Sequence, residues 1–123
     1  MDVVDETFVV AEPSVVAEAL RDPSLWRLLW PDLDATVFMD RGDEGVRLTV
    51  TGALVGSNEF WVEPWGDGAI VHYYLRADPP RAVSPRRAVK LREAHRVRVK
   101  AGLNALKDRL ESGREPGTPR RPE

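Results

Sequence analysis

The segment from Pro85 to Leu110 constrains the fold more than any other part of the chain. Its apolar positions Ala88, Leu91, Val99, Leu103, Leu106 and Leu110, with His95 in the gap, step by three, four or seven. That spacing predicts one long amphipathic helix of about seven turns. Ser84 and Pro85 suit its N-cap and first turn, and Gly113 suits its C-cap. Arg86, Arg87, Lys90, Arg92, Arg96, Arg98 and Lys100 crowd the opposite face. A helix this long needs a broad apolar partner, and only the residues before it can supply one.

Those residues read mainly as strands. Val3 to Val10 alternates and predicts a first strand. Glu12-Pro13-Ser14 opens a helix through Arg21, and Asp22-Pro23-Ser24 a second short one, Leu25 to Trp30, stopped by Pro31. Four strands follow, at about 34–40, 45–51, 56–63 and 69–76. Turn chemistry at Arg41-Gly42-Asp43-Glu44, Gly52-Ala53-Leu54 and Gly66-Asp67 separates them. Such short loops make the strands antiparallel neighbours.

Loop length fixes the register. A two-residue turn at Gly66-Asp67 sets Phe60 opposite Tyr73 and Trp61 opposite His72. A three-residue loop at Gly52 to Leu54 sets Val46 opposite Phe60 and Arg47 opposite Glu59. A four-residue first loop sets Met39 opposite Val46 and Val37 opposite Leu48. One face then holds Ala35, Val37, Met39, Val46, Leu48, Val50, Asn58, Phe60, Val62, Val71, Tyr73 and Leu75, and should meet the long helix. The other holds Phe38, Arg47, Thr49, Glu59, Trp61, His72, Tyr74 and Arg76.

A chain of 123 residues makes one domain, here residues 1–111, with the Pro-, Gly- and Arg-rich 112–123 expected as a disordered tail. The absence of cysteine excludes disulfides, thiolate metal sites and cysteine nucleophiles, and fits a reducing cytoplasm. The acidic N-terminus does not read as a signal peptide, and no apolar run reaches the roughly 18 residues of a membrane span. Charge is uneven: residues 1–80 carry fifteen acids and five bases (−10), and residues 81–123 carry five acids and thirteen bases (+8). Either the helix neutralises its own acidic body, or its basic face meets nucleic acid or anionic lipid. The neighbouring acids predict only weak, non-specific DNA binding.

The order of elements, with the words Val9-Val10-Ala11-Glu12-Pro13-Ser14, Leu20-Arg21-Asp22-Pro23 with Trp26 and Trp30-Pro31, Glu63-Pro64-Trp65-Gly66-Asp67-Gly68 and Leu103 to Glu111, resembles the START-like helix-grip (SRPBCC) superfamily. It is similar in particular to small actinobacterial proteins labelled polyketide cyclase/dehydrase. The resemblance covers about residues 3–111. It implies an α+β fold in which a curved antiparallel sheet of about five strands grips the long helix. It also implies a hydrophobic ligand, lipid-like or aromatic, between helix and sheet. Family members usually place six strands between the short helices and the long one. Four are read here, so a hairpin is missing.

Several residues are candidates for chemistry. His95, a histidine on an apolar stripe, is either a satisfied core residue or an acid–base group. Tyr73 is its candidate partner in acid–base chemistry, and Asn58 would orient a ligand. A ligand would be lined by Trp26, Trp30, Asn58, Phe60, Tyr73, His95 and Val99. His72 lies beside Tyr74 opposite Trp61, on a face read as exposed or as a protein interface. No nucleotide or nucleophile-elbow motif occurs, no cofactor is called for, and two distant histidines make a poor metal site.

Two functions from different classes follow. One is binding of a small hydrophobic molecule, with cyclase or dehydrase activity as the resemblance implies. The other is a protein-interaction module with a filled core, acting through the outer sheet face or basic helix. The volume between helix and sheet separates them, several hundred cubic ångströms favouring the first. The open strand edge and the outer aromatics Phe38, Trp61 and Tyr74 predict a homodimer.

Overall fold

A computed structural model describes residues 1–112. The expected Gly113 cap, and the expected tail beyond Ser112, lie outside the described residues. The chain runs β1 (Asp2–Val9), α1 (Pro13–Leu20), α2 (Pro23–Leu29), β2 (Leu33–Asp40), a 3-10 turn (Gly42–Glu44), β3 (Gly45–Gly52), β4 (Val55–Trp65), β5 (Gly68–Asp78) and α3 (Pro85–Leu110). The strands form one antiparallel sheet in the order β1-β5-β4-β3-β2. No helix among the described residues is long and apolar enough to cross a membrane.

Local chemistry starts each helix as the sequence predicts. Proline opens all three. The Asp22 carboxylate accepts the Ser24 N–H at 2.8 Å at the start of α2, and the Ser84 hydroxyl accepts the Arg87 N–H at 3.2 Å at the start of α3. The predicted register holds across β3, β4 and β5: Val46 faces Phe60, Arg47 faces Glu59, Phe60 faces Tyr73 and Trp61 faces His72.

The β2–β3 pair departs from the predicted register. Val37 faces Leu48 as expected, but a bulge at Phe38 puts Met39 opposite Arg47 and Asp40 opposite Val46. The 3-10 turn displaces the expected four-residue connection, and the extra residue is absorbed in the strand. Met39 thereby leaves the inner face. Asp40 takes its place and pairs with Arg21 at the end of α1, at 3.0 Å.

Coverage of the inner face also differs from expectation. α3 packs chiefly along β1 and against α2, while α1 lies over β3, β4 and β5. Val16, Ala17 and Leu20 of α1 are fully buried, as are Val46, Leu48 and Phe60 beneath them. The N-terminal half of α3 presents only Ala88, Leu91 and His95 inward among five basic residues, so its stripe is too narrow to cover a five-stranded sheet. The two short helices cover the rest.

α3 instead seals the edge at β1. Arg92 donates to the Asp2 carbonyl at 3.1 Å, Lys100 to that of Glu6 at 2.9 Å and Lys107 to that of Phe8 at 2.8 Å. The Val10 N–H donates to Glu111 at 2.8 Å. At the other edge, Val37, Phe38 and Met39 of β2 are 40%, 54% and 44% exposed. No side chain among the described residues bonds to the backbone of β2.

Candidate functional site

Three large polar side chains meet in the core. Trp30 ends α2, Tyr73 lies mid-way along β5 and His95 lies on the inward stripe of α3. Trp30 and Tyr73 are essentially inaccessible, and His95 is 5% exposed. The Trp30 indole N–H lies 2.9 Å from the Tyr73 hydroxyl, which lies 2.8 Å from His95 Nε2. Phe60 closes the cluster, its ring edge-on to Tyr73 at 5.5 Å and 5.9 Å from that of Trp30.

Proton placement follows from the donors. An indole nitrogen only donates, so the Tyr73 oxygen accepts from Trp30. Donation of the Tyr73 hydrogen to an unprotonated His95 Nε2 is the assignment that leaves no buried hydroxyl hydrogen without an acceptor. In that assignment neutral His95 carries its proton on Nδ1. Burial pulls the His95 pKa down to about 4, helped by nearby Arg98, so the ring is neutral at pH 7. Burial likewise pushes the Tyr73 phenol well up, so it stays protonated.

One side of His95 opens on a pocket of about 100 Å³, lined by Trp30, Asp32, Leu33, Ala53, Leu54, Leu91, Ala94, Arg98 and Met1. Its outer wall is tied by the Ala53 N–H donating to the Asp32 carbonyl at 3.2 Å. That contact requires Gly52, whose φ of 115° is left-handed and whose missing Cβ would lie 2.6 Å from the same carbonyl. His95 Nδ1 has no hydrogen-bond partner among the described residues and is not sealed in the core.

The pocket is far smaller than the several hundred cubic ångströms that would mark a large ligand cavity. The reason is visible in the side chains: Trp30, Phe60 and Tyr73 fill the space between helix and sheet. Of the residues read from the sequence, Trp30 and His95 line the pocket, Tyr73 holds both, and Phe60 and Val99 pack in the core around them. Trp26 and Asn58 stand apart. The Trp26 indole donates to the Leu20 carbonyl at 2.8 Å and pins the α1–α2 corner. Asn58 donates to the Tyr74 carbonyl at 3.0 Å, and its Oδ1 is buried without a partner. Leu91, Ala94 and Arg98 were missed, although their steps of four, one and three from His95 put them on adjoining faces of the helix. Asp32 and Leu54 lie in loops, where the sequence pattern gives no direction.

The outer sheet face has its own geometry. His72 is 7% exposed, not open as its position suggested. Its ring stacks on Trp61 at 4.3 Å and, farther off, on Tyr74 at 6.4 Å. Glu63 lies 3.0 Å from Nε2. Glu6 lies 3.4 Å from Nδ1, close enough for charge attraction but not aligned as a hydrogen bond. Alongside runs a groove of about 400 Å³ between Val4 and Phe38, floored by Ser57, Tyr74 and Arg47. Glu59 pairs there with Arg47 at 2.6 Å and with Arg41 at 3.1 Å. Among the described residues, no three potential metal ligands gather together.

Comparison with solved structures places the architecture. A Deinococcus radiodurans protein, DR_A0006, superposes with a TM-score of 0.68 at 14% identity, covering 93% of this chain and 99% of its own. The Aha1 dimer structure from Colwellia psychrerythraea gives 0.65 at 14% identity, with 94% and 99% covered. A START superfamily protein from Mycobacterium smegmatis gives 0.58 at 13% identity, with 89% and 98% covered. The fold is the START-like helix grip. At these identities the START-like likeness speaks for architecture alone. No family model matches the sequence, and no curated protein does.

Proposed function

We propose that this START-like domain binds a small, compact, mostly apolar molecule carrying one hydrogen-bond acceptor, in the pocket beside His95. The observation that supports this is the pairing at Nε2: with the Tyr73 hydroxyl donating there, a neutral imidazole offers Nδ1–H to a pocket walled by Trp30, leucines, alanines and Met1, with Asp32 and Arg98 as its charged members. Pockets of this kind combine apolar walls with few placed polar groups. At about 100 Å³ the pocket is smaller than the apolar cavity of about 150 Å³ that holds benzene, so a ligand is at most a single ring, part of it in the open mouth. A carbonyl or phenol oxygen is the matching acceptor.

Polyketide cyclase or dehydrase-like chemistry would fall to His95, with Tyr73 behind it as the residue that sets its orientation. A histidine with a pKa near 4 is a weak base at pH 7, so polarising a carbonyl suits it better than abstracting a proton. The test is a ligand-observed NMR screen of single-ring ketones and phenols. Binding lost in His95→Leu and retained in Trp26→Phe supports the reading. No binder among them, or binding indifferent to His95→Leu, overturns it.

A second reading is favoured by the outer groove, which is larger than the inner pocket and flanked by exposed Phe38. A protein-interaction role through that face, with homodimerisation through it or the β2 edge, fits the open edge and agrees with the dimeric state named for the Aha1 structure.

A further inference from the structure

Five cations on α3 and the loop before it have no partners among the described residues. Arg81, Arg86, Arg87, Lys90 and Arg98 are exposed, and none of their side chains makes an ion pair or hydrogen bond among the described residues. Of the other basic side chains among the described residues, Arg21, Arg41, Arg47, Arg76, Arg96, Lys100 and Lys107 all sit on carboxylates. Among the described residues these free cations run from the loop before α3 to the middle of that helix; Arg27 and Arg109, which also lack a carboxylate partner, stand apart from them in sequence. A helix that merely neutralised its acidic body would have spent them on it.

Two apolar side chains stand among these cations. Val89 is 66% exposed and Val97 59%. Arg86, Lys90, Glu93 and Val97 follow the i, i+4, i+7, i+11 spacing of one helix face, with Val89 one step round it and Glu93 neutralised by Arg96 at 2.6 Å. Cavity mouths open in the same region. Arg98 borders the pocket beside His95, and Arg81 borders a second cavity of about 260 Å³ between the segment 78–83 and Ala88 and Leu91.

We propose that the N-terminal half of α3, with the loop before it, docks this domain on anionic lipid bilayers, Arg81, Arg86, Arg87, Lys90 and Arg98 meeting headgroups while Val89 and Val97 enter the interface. A cationic helix face interrupted by apolar residues is the pattern of a peripheral lipid contact. Nucleic acid fits less well. It gains nothing from exposed valines, and residues 81–123 contain no Phe, Trp or Tyr on which a base could stack. The proposal stands independently of the ligand read for the His95 pocket.

The experiment is co-sedimentation of the full chain with phosphatidylcholine vesicles, with and without about a third phosphatidylserine. Binding is expected only to the anionic vesicles and should fall steeply with salt. Arg86→Gln with Lys90→Gln should weaken it by roughly fivefold per cation, about 25-fold together. The charge-matched pair Arg27→Gln with Arg109→Gln, away from the patch, should leave it nearly unchanged. Val89→Ser with Val97→Ser should weaken vesicle binding without altering its salt dependence. Equal loss in the two charge pairs, absence of binding to anionic vesicles, or tighter binding to single-stranded DNA with no effect of the valine changes would each overturn the proposal.

Discussion

Leu29 of α2 is seated in the notch left by Gly102 of α3. A Cβ added at Gly102 would lie 2.3 Å from Leu29 Cδ2. Both residues are buried, so a methyl there forces either the Leu29 side chain into another rotamer or α2 away from α3. Since α2 carries Trp30, the glycine sets how close the indole comes to Tyr73 and His95.

Gly102→Ala is therefore expected to destabilise the fold by about 1–3 kcal/mol, despite alanine's better helix propensity. Urea denaturation measures it. Pairing Gly102→Ala with Leu29→Ala should recover part of the loss, because the second change removes the atom that the first one strikes. Additive costs would show that the two residues do not share the notch.

Leu103→Ala and Leu106→Ala should each cost roughly 2–5 kcal/mol, as truncations of buried leucines do. Thermal melts are the check. Wild-type behaviour in both would mean that α3 is not docked on β1.

Tyr73→Phe removes the shared hydroxyl and leaves both the Trp30 N–H and His95 Nε2 buried without a partner. A loss of about 1–3 kcal/mol is expected. Phe60→Leu makes a useful contrast, since it alters packing around the cluster while leaving every hydrogen bond in place.

Acid should expose the cost of burying His95. Its folded pKa, about 4, lies below the unfolded value near 6.5, so the unfolded state binds more protons between them. Its contribution is fully present above pH 6.5 and is lost as pH falls towards 4, by an amount on the order of 1–3 kcal/mol. His95→Leu should flatten that part of the stability–pH curve. An unchanged slope between pH 6.5 and 4 would show that His95 is not held neutral by its site.

Light scattering should give a mass near twice 13.8 kDa at micromolar concentration, falling to the single mass in Phe38→Asp. A single mass across a tenfold concentration range would exclude the homodimer.

Where apolar alternation and turn length act together, the sequence was legible. Gly66-Asp67 and Gly52 to Leu54 left one way to pair β3, β4 and β5 that kept Val46, Phe60 and Tyr73 on one face. The β2 register was not legible, because Thr36, Val37, Phe38 and Met39 contain no strong alternation and a bulge there costs little at an edge strand. His95 stood out as a histidine among leucines. Its bond to Tyr73 depends on how far α3 shifts towards β1, which no local pattern encodes. The filled cavity was hidden for a similar reason: Trp30 could have lain at a rim, and only the docking of α2 against Gly102 turns it inward.

The hydrogen bonds from Arg92, Lys100 and Lys107 to β1 bear on how many copies can ever join. A sheet with two free margins accepts a neighbour on each and can grow without limit into a filament. Here the β1 margin is already occupied by the chain's own cations, so only the β2 margin remains. Edge-to-edge pairing then ends at two copies, because the outer margins of such a pair are both β1. The helix thereby acts as a chain terminator for the sheet that it grips.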